Sequence, residues 1–458
     1  MAQTVNLTGV LRYDPDRCCN GYTLLPSCTF HTGKGALLID MNGRIVHTWE
    51  GVYGAYHNIL FPDGSMLGTS GMTPGHRHDY LDVVHVNWDN KLLWKYNDAG
   101  DVTLPDGKTI RAARIHHDFQ RKGNAVGYWC PNQQPDPDGN TLLISTKMVN
   151  RPDITSVEIA DTWLIEVTKE GEIVWDWLLT DHWDELGFDE VANAVYARMP
   201  RPMDKCNYTK ETYFNNCAFL GPNKWWDAGD ERFNPENIIV DIRSWNTSFI
   251  ISKATGKIVW KIGPDYESDP HLAKIGTIIG QHHVHMIQKG LPGEGNILIF
   301  DNGGEAGFGN SNPNSFNGVY NCRRWYSRVL EINPVTLELV WQYGDHPDPL
   351  VRAMTRFFSP YCSSAQRLLN GNTLICEAVG GRAFEVTPEG SICWEMVDPG
   401  GFTFRAYRYP YEWLNFLPKP ENKAIIPPAN CNLRLDNMTL GSADTSAFYT
   451  GAGTWLYH

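Results

Sequence analysis

The sequence predicts an all-β fold, a six-bladed β-propeller with loop insertions whose ring is closed by a C-terminal strand. Three observations predict it. A pair of strands ending in Trp recurs six times, a second strand pair precedes most copies, and the composition is 12% aromatic with 42 Gly and 28 Pro residues. Short strands joined by turns use such a composition, and a regular repeat of hairpins is typical of stacked blades.

The repeated hairpin consists of an apolar strand, a turn of about two to four residues rich in Gly, Asn or Asp, and a strand that closes on Trp. β-Branched and aromatic residues flank residues that tolerate the backbone angles of a tight turn. One hairpin cannot bury its own apolar face, so the copies must stack, with the Trp side chains packing between blades. The closing residues are Trp49, Trp94, Trp175, Trp260, Trp341 and Trp394.

A second repeated element precedes five of the hairpins and predicts the two inner strands of each blade. It starts at Tyr56, Ile115, Phe233, Gln281 and Tyr361. The first hairpin has no such partner upstream, but the extended aromatic stretch FRAYRYPYEWL, from Phe404, is suited to supply a strand. A C-terminal strand that completes the first blade would close the ring and protect its edges.

We expect one propeller domain over residues 1–458, with residues 1–30 and the tail 415–458 packing on its outside. The intervals that end at Trp175, Trp260 and Trp341 exceed the ~40–50 residues of a plain blade, so they must contain insertions. The largest, at about residues 180–230, is a possible lid over one end of the axial channel, because long loops in compact domains are usually functional.

The net charge of −13 argues against a nucleic-acid or anionic-membrane partner. No run of about 18 apolar residues is present, so no membrane span is predicted. The N-terminus lacks the basic start and apolar run of a signal peptide, which favours the cytoplasm, or the periplasm or extracellular space if a signal was removed. The 11 Cys residues show no metal spacing and are expected to be free thiols rather than disulfides or metal ligands.

Histidines are concentrated in the predicted inner strands of three blades. Since neighbouring residues on a strand point to opposite faces, one member of each adjacent pair should face the axis. Two further histidines, His76 and His78 in GHRHDY, fit a channel-entrance site and a polar loop equally. The histidines of the inner strands are His57, His116, His117, His282, His283 and His285. All of them except His285 are candidate catalytic residues.

Arginine, aromatic and amide side chains are expected to approach the same axis from the closing strand and from the fourth and sixth blades. A small aromatic or phenolic substrate would suit the many rings in these segments. The predicted substrate-binding residues are Tyr361, Tyr407, Arg408, Asn234 and Glu236.

Two alternatives to catalysis by metal-free histidines stay open. Several buried imidazoles near one axis are costly without a ligand or charge to organise them. His57, His117 and His283, one from each of three blades, are suited to a three-histidine site for a divalent transition metal in a lyase, hydratase or oxidoreductase. The channel would otherwise be a noncatalytic binding module, in which the histidines are hydrogen-bonded structural residues.

A series of motifs in a fixed order carries a family resemblance. They are NGYTLLPS, GALLIDMNGRIVHTWE, IHHDFQR with DGNTLLIS, TGKIVWKIG, GQHHVHMI with GNILIFDNGG, SRVLEINP with LVWQYG, and SSAQRLLNGNTLI. From about Gly21 to Trp413 the chain resembles the bacterial arylsulfotransferase family. The resemblance implies a six-bladed propeller that moves a sulfuryl group between phenols through a sulfated histidine, without a nucleotide donor or a cofactor. It also implies a protein that is typically exported.

The resemblance places active-site residues at the histidines of IHHD, His116 or His117, and of GQHHVHMI, His282 or His283. Sulfuryl transfer spreads negative charge over the nonbridging oxygens, so a cation must be in place beforehand, and Arg405 is our candidate by position. One imidazole serves as nucleophile and a second protonates the departing phenolate. The family's late-blade nucleophile falls near FFSPYCSSAQRL, where this chain has no histidine.

Overall fold

Strands account for most of the regular structure in the computed structural model, which describes residues 8–26, 35–53, 57–74, 79–198, 210–304, 306, 323–345 and 357–426. Six main sheets of four or five strands are arranged as blades around an axis. The predicted six-bladed propeller is therefore confirmed.

The first three blades follow one pattern from the axis outward. Blade 1 contains β28 (Tyr407–Pro410), β2 (Gly21–Leu25), β3 (Ala36–Ile39) and β4 (Ile45–Trp49). Blade 2 contains β5 (Ile59–Leu60), β6 (Met66–Gly68), β7 (Val83–Val86) and β8 (Leu92–Tyr96). Blade 3 contains β11 (Phe119–Arg121), β12 (Thr141–Val149), β13 (Ile159–Val167) and β14 (Ile173–Leu178), and the short β15 (Lys210–Glu211) pairs with β13 in parallel.

The other three blades repeat the order. Blade 4 contains β16 (Asn216–Phe219), β17 (Ile238–Ile242), β18 (Thr247–Ile251) and β19 (Ile258–Ile262). Blade 5 contains β20 (His282–Met286), β21 (Ile297–Asp301), β22 (Arg328–Ile332) and β23 (Leu339–Tyr343). Blade 6 contains β24 (Ser364–Arg367), β25 (Thr373–Glu377), β26 (Arg382–Val386) and β27 (Ile392–Val397), with β1 (Gly9–Tyr13) added outside. A separate hairpin pairs β9 (Gly100–Thr103) with β10 (Thr109–Ala112).

The hairpin seen in the sequence is the outer half of each blade. In all six blades the two outer strands carry an irregularity of register at the same place, just before the turn that joins them. Inner strands such as β17 and β21 are buried at every residue, whereas outer strands such as β8 and β23 are largely exposed. Neighbouring blades cover both faces of the inner strands, which is why those strands read as continuous apolar runs.

The closing Trp residues connect each blade to the next. Their indole N–H groups donate to a backbone carbonyl of the following blade, so the rings both fill the interface and satisfy their one donor. The bonds are Trp94 to Lys169 (2.7 Å), Trp175 to Lys253 (3.1 Å), Trp260 to Pro334 (2.7 Å), Trp341 to Pro388 (2.8 Å) and Trp394 to Met41 (2.9 Å). Trp49 donates to Gly64 of blade 2 at 3.1 Å. The predicted packing of these residues between blades is confirmed.

The ring closes at blade 1. Strand β28, from the C-terminal part of the chain, pairs with β2 from the N-terminal part, with Tyr22 opposite Tyr409. Because β28 is the innermost strand of blade 1, the last strand among the described residues completes the first blade, as predicted.

Residues 8–26, the described part of the segment 1–30, depart in part from the predicted place outside the propeller. Strand β1 does lie outside, paired with β27 of blade 6. Strand β2, however, is the second strand of blade 1 and is buried at every residue. The run Tyr22 to Leu25 is apolar enough to be a core strand, and blade 1 needs two strands ahead of its hairpin. Of the tail, Ile425 pairs with Tyr13, and residues 427–458 lie outside the described residues.

The predicted insertion at 180–230 is also only partly an insertion. It contains a 3-10 helix and α1 (Glu190–Arg198), but its later part supplies β16, the innermost strand of blade 4. The segment from Phe233, predicted to hold both inner strands, holds only the second, β17. Strand β16 is four residues long and polar at its start, so it carries no clear strand signal.

Helices are short and lie in the connections. The α-helices besides α1 are α2 (Lys224–Asp227) and α3 (Pro270–Ile275). The 3-10 helices are Leu179–Leu186, Glu231–Phe233, Arg243–Trp245, Ala378–Gly380 and Tyr411–Leu414. None of the helices in the described ranges is long and apolar enough to cross a membrane.

Candidate active site

One face of the propeller carries most of the candidate residues. The innermost strands run in one direction around the axis, so the residues that precede or begin them share a face, which we call the entry face. The long connections between blades enter the inner strands on this side. The residues at the strand starts are His57, Asp118, Asn215, His283, Cys362 and Arg405.

A buried ion pair lies at the centre of this face. Arg405 Nη1 donates to Asp118 Oδ2 at 2.8 Å, and Nη2 donates to the carbonyl of Asn215 at 3.0 Å. Asp118 also accepts the backbone N–H groups of Phe119 and Cys217 at 2.9 and 3.2 Å. Both charged side chains are at most 1% exposed. The backbone and the aspartate thus hold the guanidinium in one position.

Protonation of the pair follows from burial and charge. Burial raises the pKa of Asp118 to about 6, against the opposing effect of Arg405. Burial disfavours the Arg405 guanidinium, but the charge of Asp118 outweighs it, and the pKa of Arg405 lies above its ordinary value. Arg405 is therefore a permanent cation at the axis.

Tyr407 lies between two histidines from different blades. Its hydroxyl is 3.1 Å from His283 Nε2 and 3.4 Å from His57 Nδ1. Since the N–H of Ala365 donates to His283 Nδ1 at 3.3 Å, a neutral His283 carries its proton on Nε2 and donates to Tyr407. The tyrosine proton then points to His57 Nδ1, and the His57 proton sits on Nε2, 3.5 Å from Asp118 Oδ1.

The local backbone explains why His283 reaches Tyr407. The pairing of β20 with β21 is irregular between His282 and His285, and His283 has a φ of 54°. A bulge of this kind re-aims side chains that would otherwise alternate strictly. Left-handed backbone is uncommon for a non-glycine residue and is found where surrounding contacts hold it in place.

The histidines of β20 are all buried and neutral. Burial lowers the pKa of His282 to about 3 and of His285 to about 4, and it lowers the pKa of His283 well below its usual value. The pKa of His57 is lowered in the same way, with Arg405 as the second cause. Neutral imidazoles can accept protons or act as nucleophiles, which imidazolium ions cannot.

His282 and His285 are fully engaged by the protein. His282 Nδ1 donates to Asn302 Oδ1 at 2.8 Å, and its Nε2 accepts the N–H of Cys362 at 3.1 Å. His285 Nδ1 donates to the carbonyl of His283 at 2.9 Å, and its Nε2 accepts from the Tyr128 hydroxyl at 2.7 Å. These contacts favour a structural role for His282, which was a candidate catalytic residue.

The family described as arylsulfotransferase (ASST) matches residues 107–393, more than half of the chain. The chain belongs to the arylsulfotransferase family. The resemblance drawn from the sequence motifs is confirmed, and the matched span includes His116, His117 and β20. Arg405 and Tyr407 lie beyond it, in the strand that closes the ring.

Solved structures similar to this member of the family are distant. A protein of unknown function from Bacteroides caccae has 12% identity and a TM-score of 0.42, covering 85% of this chain and 98% of its own. Virginiamycin B lyase from Staphylococcus aureus has 11% identity and a TM-score of 0.37, covering 86% and 85%. Similarities this low do not indicate a shared function. No curated protein sequence matches the chain significantly.

His116 and His117 form a second group beside the first. The Tyr213 ring stacks on His116 with a centroid separation of 4.8 Å, and the Tyr213 hydroxyl is 3.4 Å from His117 Nε2. His117, His57 and Asp118 all line a cavity of about 10 Å³. That volume suits about one water molecule.

Three predicted substrate-binding residues lie away from the axis. Arg408 is buried between blades 1 and 6, where it donates to Glu385 at 3.1 Å, because alternate residues of β28 face opposite sides. Asn234 and Glu236 precede β17 rather than an innermost strand, and the Glu236 side chain is 59% exposed beside Lys253. The expectation that these three residues reach the axis is wrong. Arg408 faces blade 6 instead, and Asn234 and Glu236 precede the second strand of blade 4, because β16 is its innermost strand.

Tyr361 and Tyr407 do lie on the entry side, at different depths. Tyr407 is buried among the histidines, and Tyr361 is 46% exposed, with its ring 6.5 Å from that of Phe402. The predicted sites His76 and His78 lie outside the described residues.

The three-histidine metal hypothesis requires ligand atoms from His57, His117 and His283 to converge. Within the described ranges, one group of three residues has ligand atoms that all lie within 4.8 Å of one another. That group is Cys18, Glu385 and Cys393, and it contains none of these histidines. The Tyr407 hydroxyl separates His57 from His283. As the residues stand, the structure does not bring these three imidazoles together.

Sequence inspection missed Asp118, Asn215 and Tyr213. Asp118 directly follows the two histidines of IHHD, and an acid beside a buried His pair was a usable signal. Asn215 and Tyr213 lie in the segment taken for an insertion, so nothing in the sequence placed them near the axis.

Proposed function

We propose that this protein transfers a sulfuryl group between phenolic compounds, without a nucleotide donor, at the entry-face site. The observation that carries the proposal is the meeting of Arg405, Tyr407, His57 and His283 at the axis of a chain of the arylsulfotransferase family. A fixed cation and neutral imidazoles from separate blades are what this reaction requires.

Arg405 would stabilise the transition state. Negative charge spreads over the nonbridging sulfuryl oxygens as the aryl oxygen departs, and a cation already held by Asp118 and the Asn215 carbonyl needs no reorganisation. Because the site is buried, each electrostatic contact is stronger than it would be in water.

His117 is our candidate for the group that accepts the sulfuryl group. It lines the cavity with His57, and at 6% exposed it is the most accessible of the inner-strand histidines. In the first half-reaction an imidazole nitrogen forms the N–S bond, the S–O bond of the aryl ester breaks, and the phenolate leaves. In the second half the acceptor phenol oxygen forms a new S–O bond, the N–S bond breaks to return the neutral imidazole, and the phenol proton passes to a neighbouring imidazole.

The hydrogen-bonded series from His283 through Tyr407 to His57 would move the proton. The departing phenolate must be protonated and the acceptor phenol deprotonated, and imidazoles linked by a phenol hydroxyl are able to do both in turn. This assigns a role to His57 and His283 without a metal.

Tyr213 supports the lid hypothesis. It lies in the connection that precedes β16, within the segment first predicted as an insertion, and its ring covers both His116 and His117. Since the cavity has room for about one water molecule, a phenyl ester requires the covering side chains to move. We propose that this connection opens for substrate entry.

The test is release of nitrophenol from 4-nitrophenyl sulfate by the purified protein, with and without added phenol. We expect release that depends on the acceptor and is unchanged by a chelator. His117→Ala should abolish it, and intact-mass analysis of wild type with donor alone should show one added sulfuryl group.

Three results would contradict the proposal. Absence of release under all conditions would refute sulfuryl transfer, and loss of activity with chelator would favour the metal hypothesis. Full activity of a folded His117→Ala variant would place the acceptor nitrogen elsewhere.

A further inference from the structure

A cluster of two thiols and a carboxylate lies where the two ends of the propeller meet. Cys18 follows β1, Glu385 belongs to β26, and Cys393 belongs to β27. Their sulfur and carboxylate atoms all lie within 4.8 Å of one another. Cys18 is 8% exposed and Cys393 is 1% exposed, and both are free thiols in the structure.

The surroundings of the cluster disfavour a metal ion. Glu385 Oε1 already accepts the N–H of Cys19 at 2.6 Å and the Asn372 amide at 2.7 Å, and its Oε2 accepts from Arg408 at 3.1 Å. The carboxylate thus already accepts three hydrogen bonds, and the Arg408 guanidinium would repel a cation. What remains available is the reaction of the two sulfurs with each other.

We propose that Cys18 and Cys393 form a reversible disulfide that closes the propeller ring covalently. The backbone around them is already held in place, since Tyr13 pairs with Trp394 and the N–H of Asp14 donates to the carbonyl of Cys393 at 2.9 Å. Rotation about the cysteine side-chain bonds would bring the sulfurs to the ~2.05 Å of a disulfide.

A disulfide at this location would link blade 6 to blade 1. Residues 14–20 pass from the outer edge of blade 6 into blade 1, so this segment joins the same two blades that β28 joins from within. A bond from Cys18 to Cys393 encloses nearly the whole propeller in one covalent loop. Closing a long loop restricts the unfolded chain and therefore favours the folded state.

The oxidant would be a small disulfide such as oxidised glutathione. The Cys18 thiolate attacks one glutathione sulfur, the glutathione S–S bond breaks, and one glutathione thiolate leaves. The Cys393 thiolate then attacks the Cys18 sulfur of the mixed disulfide and releases the second. Two electrons pass from the protein to glutathione, and the two protons of the protein thiols go to the departing thiolates.

Cys18 would react first because it is the more exposed of the two. Its pKa is raised by its hydrogen bond with Cys393 and by burial, so exchange in the folded protein is expected to be slow in both directions. Once formed, the bond should resist reduction until the N-terminal segment opens.

The experiment compares full-length protein held with oxidised or with reduced glutathione, each both folded and during refolding from denaturant. Free thiols are then alkylated under denaturing conditions and the peptides are identified by mass spectrometry. We expect the Cys18 and Cys393 peptides to be linked in the oxidised samples alone, and the oxidised protein to melt a few degrees higher.

Two variants make the result specific. Cys18→Ser should lose both the link and the rise in Tm, whereas Cys376→Ser, which removes a buried thiol elsewhere in blade 6, should keep both. If Cys18→Ser does not fold, the wild-type peptides alone decide. Alkylation of both cysteines in every oxidised sample, or their linkage to other cysteines, would overturn the proposal.

Discussion

Single hydrogen bonds set the protonation pattern of the site. The N–H of Ala365 donates to His283 Nδ1, which puts the proton of that ring on Nε2 and makes Tyr407 its acceptor. Arg405 is also within 3.5 Å of the Tyr407 hydroxyl. The hydroxyl proton is therefore directed to His57, and each of these groups has a defined donor or acceptor role.

Tyr407→Phe tests that series. Removing the hydroxyl breaks the path between His283 and His57 while the ring continues to fill the core. We expect kcat for sulfuryl transfer to fall by roughly 10²-fold or more, the usual contribution of a positioned proton-transfer group. The measurement is the initial rate with saturating donor and acceptor across pH 5 to 9.

Tyr409→Phe is the matched control. Tyr409 lies two residues along the same strand, and its hydroxyl donates to the carbonyl of Gly127 at 3.2 Å rather than to a histidine. Rates that fall equally in both variants would show that Tyr407 is only structural.

At the scale of elements, β28 has two separate tasks. Tyr407 and Tyr409 face the inside of the ring, while Arg408 between them lies against blade 6, with its guanidinium 4.7 Å from the centre of the Trp394 ring. Arg408 donates to Glu385 and to Thr23 Oγ1, so it links β26, β2 and the closing strand. Because side chains alternate along a β-strand, β28 places Tyr407 in the candidate site and Arg408 in the contact that closes the ring.

Arg408→Met should therefore destabilise the fold without changing the chemistry. Removing one partner of a buried ion pair leaves the Glu385 charge uncompensated and costs about 3–5 kcal/mol. We expect a lower denaturant midpoint, with the activity per folded molecule unchanged. Loss of activity in a fully folded variant would restore Arg408 as a substrate-binding residue.

The indole bonds between blades make a further prediction. Trp260→Phe keeps an aromatic ring at a site that is 6% exposed but removes the bond to the Pro334 carbonyl. We expect a loss of about 1 kcal/mol in the free energy of unfolding, measured by denaturant titration. Trp325, at 69% exposed, gives the control Trp325→Phe, which should change stability by less than about 0.5 kcal/mol. Equal effects would argue against the interface bond.

At the scale of the whole molecule, the buried imidazoles couple folding to pH. The folded pKa values of His282 and His285, about 3 and about 4, lie below the unfolded value of about 6.5. Each imidazole contributes stability above pH ~6.5 that is lost as the pH falls toward its folded pKa. Asp118, with its pKa raised to about 6, acts oppositely, since its contribution is lost as the pH rises through that value.

Burial also raises the pKa of Asp241, which acts in the same direction as Asp118. The four histidines with lowered pKa values, His57, His282, His283 and His285, still outnumber these two aspartates, so we expect Tm to fall as the pH is lowered from 7 to 5. Each histidine adds up to ~1.4 kcal/mol per pH unit to the slope. His285→Gln should reduce the slope of the unfolding free energy against pH by the contribution of one histidine. This change in slope is expected whether or not the variant has the wild-type Tm at pH 7. Identical slopes in wild type and variant would show that His285 is not neutral in the folded protein.

The propeller itself was predictable because its signal is local and repeated. A Trp at the end of each hairpin, turn residues at fixed offsets and an unpaired first hairpin were enough to predict six blades and the C-terminal closure. Strand β16 was not predicted, because a strand of four partly polar residues shows no periodic pattern. Its absence from the prediction moved Asn234 and Glu236 to the axis, where they do not lie.

The sequence by itself determined the six-bladed ring, the family resemblance and the kinds of residue available at the axis, since each depends on patterns a few residues long. Only the tertiary structure decided which side chains contact one another at the axis. Arg405 meets Asp118 from 287 positions away, and Tyr407 meets His57 from 350. The bulge that turns His283 toward Tyr407 depends on how β20 pairs with β21. Contacts between distant segments arise from packing the whole ring, which no local pattern encodes.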